Sequence, residues 1–133
     1  MLGSCVSVAL FDTKKKIGGM KHYKFPLPEN PEDRTALYGG PAIYKLLHLM
    51  FDNGAKKDSM NDQIFGGAVN ENFTNNDISV KNVDIAEKML QNYSIRVISR
   101  DTGGNLGRKI IYNTSTGEAV IMKVEKLRQT DWL

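Results

Sequence analysis

An α+β fold is what the sequence predicts, and three observations carry that expectation. Six short runs are rich in apolar residues and bounded by turn formers, as strands are. Two longer stretches instead repeat their apolar residues at helical spacing. The whole is 133 residues, 41% hydrophobic and 25% charged, which is the size and composition of one soluble domain with a real core.

The first strand is expected from Val6 to Phe11, a continuous apolar run of the kind that lies buried. Asp12-Thr13-Lys14-Lys15-Lys16 is a turn signal, and Ile17 to Phe25 follows as a second strand able to pair back as a hairpin. Pro26 to Tyr38, with three prolines among polar residues, is too broken for helix or strand. A loop of that length either rims a site or is a mobile surface excursion, and both readings stand.

Helix signals begin at Pro41, a good first-turn residue after Gly39-Gly40. Ile43, Leu46, Leu47, Met50 and Phe51 form the inner face, His48 sits at its boundary, and Gly54 closes the segment. Gln63 to Ala68 reads as a short buried strand ending in Gly66-Gly67, where backbone or substrate comes close or the chain simply turns. After a polar loop, Asn70 to Asp77, a second helix is expected from Val80 to Asn92, capped by Ser79 and burying Val83, Ala86, Met89, Leu90 and Tyr93. Three more strands follow, at Ser94 to Ser99, Arg108 to Asn113 and Glu118 to Val124, the last two joined through Thr116-Gly117. The glycines of Asp101-Thr102-Gly103-Gly104-Asn105-Leu106-Gly107 lead into a strand, so they do not make the glycine-to-helix phosphate cradle. The tail Arg128 to Leu133 is expected to be loose.

Composition narrows the function. The net charge of +3 is spread evenly, nine Lys/Arg against seven Asp/Glu in residues 1–66 and nine against eight in 67–133. Without a basic stripe interleaved with aromatics, nucleic acid is not an expected partner, and Lys14-Lys15-Lys16 reads as a solvated hairpin tip. No apolar run approaches the ~20 residues of a membrane span and no leader opens the chain, so a cytoplasmic protein without membrane insertion is expected. The single cysteine excludes an internal disulfide. No Cys/His cluster has metal-ligand spacing, so neither metal nor cofactor is expected.

That cysteine is the candidate for chemistry. Cys5 stands at the mouth of the first strand behind Gly3-Ser4, a pair that can bend sharply and aim backbone N–H groups at a developing oxyanion. In the expected hairpin the end of the second strand returns to the start of the first, which brings His22 beside Cys5. A thiol within reach of an imidazole is the minimal apparatus for nucleophilic attack on a carbonyl. Gly18-Gly19, just before His22, permit close packing and leave room for a substrate chain. The bland alternative is that a lone cysteine is a small buried hydrophobe.

These residues resemble those of the chemoreceptor glutamine deamidases of chemotaxis, the CheD family. Leu2-Gly3-Ser4-Cys5-Val6 is similar to that family's nucleophile motif and Gly18-Gly19-Met20-Lys21-His22 to its histidine motif, at the family's spacing. Tyr38-Gly39, Phe65-Gly66-Gly67-Ala68, Asn82 and Asp101-Thr102-Gly103-Gly104 with Gly107-Arg108 follow in the family's order. The resemblance implies mixed β-sheets layered with two helices, and a protein-glutamine deamidase in which Cys5 is the nucleophile and His22 its base. Gly3, Ser4, Gly19, Gly66 and Gly67 are the expected supports for substrate and oxyanion. It also implies two partners, the cytoplasmic segments of chemoreceptors and a CheC-type phosphatase.

One departure stands against it. The family carries a further strand before the nucleophile motif, with a threonine that helps orient the histidine, whereas here Met1 adjoins Leu2. An unoriented histidine is a weaker base. A binding module that grips phosphatase or receptor without turnover therefore stays open beside the deamidase, as does a cysteine hydrolase of another amide or ester.

Overall fold

The computed structural model describes residues 2–70 and 76–125. Its first hairpin is formed by β1 (Val6–Asp12) and β2 (Ile17–Tyr23), paired from Val6 with Tyr23 to Asp12 with Ile17. The Asp12 carboxylate organises the turn by accepting the N–H groups of Lys14 and Lys15 at 2.9 and 2.8 Å. It also accepts Lys56 N–H and the Ser59 hydroxyl from across the sheet. Burial opposes its charge, but these donors outweigh burial and bring its pKa down to about 2. The second strand ends at Tyr23, short of the expected Phe25, because the chain there bends to meet Tyr38 in a separate bridge.

α1 (Gly39–Asp52) buries Ala42, Ile43, Leu46, Leu47 and Met50 along one side, and Gly54 ends the segment at φ +95°. His48 lies at the boundary of that face, its ring 4.2 Å from Tyr44 and 5.9 Å from Phe51 by centroid. A short 3-10 turn, Lys57–Ser59, leads into β3 (Met60–Gly66), which pairs antiparallel with β1. α2 (Asn76–Asn92) then carries the chain over the sheet to β4 (Arg96–Thr102), which lies parallel to β3. A parallel pair needs such a crossover. The four strands stand in the order β2-β1-β3-β4. A second sheet is made of β5 (Gly107–Tyr112) and β6 (Ala119–Val124), paired antiparallel.

Among the described residues the expected α+β class is therefore seen as three layers: two helices, a four-stranded mixed sheet, and a two-stranded sheet. Alternation along β1 sorts the core. Val6, Val8 and Leu10 face the helices and pack with Ile43, Leu47 and Leu90. Cys5, Ala9 and Phe65 face the small sheet, against Ile110, Tyr112, Ala119 and Ile121.

Several boundaries differ from the sequence expectation. α2 begins a turn earlier than Val80, so Ser79 is not its cap; Ser79 is buried inside the helix and donates its hydroxyl to Ala68 O at 2.7 Å. A side-chain oxygen ahead of an apolar run looks like a cap locally, but the carbonyl it satisfies lies eleven residues away. β4 starts later than Ser94, which adopts φ +57° in the preceding turn. The tail Arg128 to Leu133 lies outside the described residues. Among the described residues no helix is long and apolar enough to cross a membrane.

Candidate active site

Cys5 precedes β1 by one residue, at the open end of the β1–β2 hairpin. Ser7 pairs with His22 in the ladder, and Cys5, two positions before Ser7, shares its face. If that alternation is continued past the end of the ladder, Cys5 and His22 take diagonal positions on one side of the hairpin, roughly 7 Å apart by backbone. His22 is exposed, whereas Cys5 is 7% exposed and packs with Leu2, Ala9 and Phe65. Burial pushes the thiol pKa up, while the charge of Lys24 and the N–H of Cys5 itself pull the other way. Extending the hairpin register one step past Val6 and Tyr23 sets Lys24 across from Cys5.

The turn Gly3-Ser4-Cys5 is held from two sides. From the end of β3, Gly67 N–H donates to Cys5 O at 2.9 Å and Ala68 N–H to Gly3 O at 3.0 Å. From α2, the Asn82 side-chain amide donates to Ser4 O at 3.1 Å and to Lys24 O at 2.8 Å. Leu2 also exchanges two main-chain hydrogen bonds with Arg108, the buried second residue of β5, which ties down the preceding loop through Gly103 O and Leu106 O.

The glycines have distinct duties here. Gly66, at φ +106°, faces the Cys5 carbonyl so closely that a Cβ would lie 2.2 Å from its oxygen. Gly67, at φ +68°, is pressed between Val83 and the Ser79 carbonyl, and its N–H is already engaged by Cys5. Both therefore support the Gly3-Ser4-Cys5 turn by letting backbone and α2 close on it. Gly19 lies on the other face from His22, where a Cβ would meet Leu46 of α1 at 2.9 Å. It seats a helix and is not brought to Cys5. Gly3 and Ser4 are part of the turn itself, their carbonyls held by Ala68 N–H and the Asn82 amide.

The loop from Pro26 turns back along β2. Leu37 O accepts the N–H groups of Lys24 and Phe25, and Gly39 N–H returns to Phe25 O. Between the loop and the strand opens a groove of about 490 Å³, lined by Met20, His22, Lys24, Thr35 and Leu37 among others. Here the loop rims the strand that carries the imidazole.

The sequence names Asn82 only as a residue in the family's order, with no role attached, yet it is fully buried and bonded to both sides of the hairpin mouth. A signal was present. Asn82 falls within the apolar stripe of α2, beside Val83 and between Ser79 and Ala86, and a polar side chain in such a stripe must find buried partners. Lys24 carried no comparable signal, since its place across from Cys5 follows from the register alone.

Comparison with known proteins adds the lineage. The family described as CheD chemotactic sensory transduction matches residues 26–123, a range that begins just after His22. A probable chemoreceptor glutamine deamidase CheD of Sulfurimonas denitrificans is 37% identical over 129 residues, 95% of this chain and 83% of that protein. The chemoreceptor glutamine deamidase CheD of Thermotoga maritima is 33% identical over 123 residues, 92% and 78% of the two chains. A probable counterpart in Trichlorobacter lovleyi is 35% identical over 131 residues, 97% and 81%. With a family match across most of its length and relatives that span nearly all of it, the chain belongs to the CheD family.

Proposed function

We propose that this protein deamidates glutamine side chains of chemoreceptors, with Cys5 as nucleophile and His22 as general base and acid. The observation that supports the reading is the hairpin register, which pairs His22 with Ser7, two residues from Cys5, in a chain whose relatives are named as such deamidases.

The chemistry follows from the surroundings. Because burial favours the neutral thiol, the sulfur needs its proton removed as it attacks, which is the work of His22. Sulfur bonds to the carboxamide carbon, and the carbonyl oxygen takes up the electron pair as an oxyanion beside the Gly3-Ser4-Cys5 turn. The Cys5 N–H, which pulls the thiol pKa down against burial, is the donor this turn offers to that oxygen. Collapse breaks the carbon–nitrogen bond, His22 returns the proton to departing ammonia, and a thioester remains. Water deprotonated by His22 then attacks the thioester and releases glutamate and thiol. Each turnover adds one negative charge to the receptor and frees one ammonia.

The test is incubation with receptor cytoplasmic fragments, followed by peptide mass analysis and ammonia release. Wild type converts glutamine to glutamate, Cys5→Ala converts none, and His22→Ala is slowed about 10²–10⁴-fold. Equal, unchanged receptor masses with wild type and Cys5→Ala sink the catalytic reading.

The low exposure of Cys5 favours a second reading, a module that binds receptor or a CheC-type phosphatase without turnover in the cytoplasm. It requires that the chain retain those partners on a column while releasing no ammonia. Deamidation by wild type that Cys5→Ala lacks rejects it.

A further inference from the structure

The β1–β2 ladder stops at the pair Val6 and Tyr23. Cys5 lies just beyond it, so the ladder does not fix where the nucleophile sits relative to the strand that carries His22. Nor does Lys24 close the gap with its own backbone. Its N–H is given to Leu37 O and its carbonyl receives the Asn82 amide at 2.8 Å. The second hydrogen of that amide reaches Ser4 O at 3.1 Å.

One side chain thus joins the residue before Cys5 to the residue two after His22. The orientation of the amide is settled by chemistry, because both partners are carbonyl oxygens and only the NH₂ end can donate to them. The backbone of Asn82 is held in turn. Its carbonyl accepts a short hydrogen bond from the buried Tyr23 hydroxyl, on the strand residue adjoining His22. Asn82 has no exposed surface and sits mid-helix in α2, so the strut is anchored in a rigid element.

We propose that Asn82 is the positioning residue of the site, fixing the Cys5 turn against the His22 strand so that sulfur and imidazole keep the separation that proton transfer requires. This rests on the deamidase reading for its purpose but not for its geometry. Asn82 touches neither sulfur nor substrate, so its effect runs through placement, and small misplacements of reacting groups cost up to about a hundredfold in rate.

Two readouts on Asn82→Ala decide it, both taken at a temperature where circular dichroism shows the variant folded. With receptor fragments, kcat is expected to fall about 10–100-fold, with KM within about threefold of wild type because no substrate contact is removed. Without receptor, the alkylation rate of Cys5, the single cysteine, is followed against pH. On the neighbouring strand, Lys24 is the ionisable side chain whose charge acts on the thiol, and His22 is paired with Ser7, two residues from Cys5. The wild-type profile is expected to show an inflection that His22→Ala removes and that Asn82→Ala removes as well.

A wild-type kcat in Asn82→Ala, or a wild-type alkylation profile, overturns the proposal. So does a wild-type profile without any contribution from His22. If wild type deamidates nothing, the deamidase reading fails, while the alkylation profiles still judge Asn82. Should Asn82→Ala not fold, Tyr23→Phe loosens the same strut and keeps the ring. It is expected to lower kcat several-fold and weaken the His22 inflection, and leaving both untouched counts against the strut.

Discussion

The two faces of the four-stranded sheet are built to different standards. Toward the helices, Val6, Val8, Leu10 and Ile64 are wholly buried against Ile43, Leu47 and Leu90. Toward the small sheet, the buried set shrinks to Leu2, Cys5, Ala9 and Phe65. The residues that cover it, Ile110, Tyr112, Ala119 and Ile121, are only partly buried. The cover leaves His22 exposed to solvent. Burial is thus concentrated on one side of the same strands, and the thinner side is the one that holds Cys5.

Substitutions on either side test that division. The largest effect is expected from Gly66→Ala, because the new Cβ would sit 2.2 Å from the Cys5 carbonyl oxygen at a φ of +106°. Neither the backbone strain nor the overlap is relieved without moving the turn that holds Cys5. A loss of roughly 4 kcal/mol is expected in denaturant unfolding, with deamidation falling further than the folded fraction does. Leu47→Ala empties a fully buried site under α1 and is expected to cost about 3 kcal/mol. Measured at a temperature where it is folded, it keeps the wild-type kcat. If Leu47→Ala loses activity as Gly66→Ala does, the two faces are not separable.

What could be read ahead of the structure was local. The turn residues after Phe11 and the two strand-like runs beside them foretell the hairpin, and the hairpin brings the His22 strand alongside the start of the first strand. Helix periods likewise found Ile43, Leu47 and Leu90 as core. What was not legible depends on residues distant in sequence. Gly19 and Gly66 look alike as glycines beside candidate residues, yet one admits Leu46 of a helix and the other the Cys5 carbonyl. Ser79 offers the same hydroxyl to a cap or to Ala68 O, and only the packing of α2 on the end of β3 chooses.

Two aspartates carry that lesson into energetics. Asp12 and Asp62 are both without exposed surface, at the end of β1 and within β3. Asp12 has four donors, whereas neither carboxylate oxygen of Asp62 has a hydrogen-bond partner among the described residues. Their titrations accordingly move in opposite directions. With its pKa lowered from 3.8 to about 2, Asp12 contributes stability that is present above pH 3.8 and lost as pH falls through 2. Asp62 is held well above 3.8 by burial, which the nearby Gln63 and Ala9 N–H groups and Arg100 do not offset, while Glu87 adds to the rise. Its neutral form is compatible with the core below pH 3.8. As pH rises further the unfolded chain releases a proton that the folded chain keeps, and stability declines until the folded carboxyl titrates.

Asp62→Asn removes that decline while preserving shape. In urea unfolding it is expected to match wild type near pH 4 and to gain on it by up to about 1.4 kcal/mol per pH unit above that. The side chain lies on the helix face with Leu10, so kcat should not change. A gain that is constant across pH would mean that Asp62 is ionised in the folded protein. A change in kcat would mean that the helix face reaches the chemistry after all.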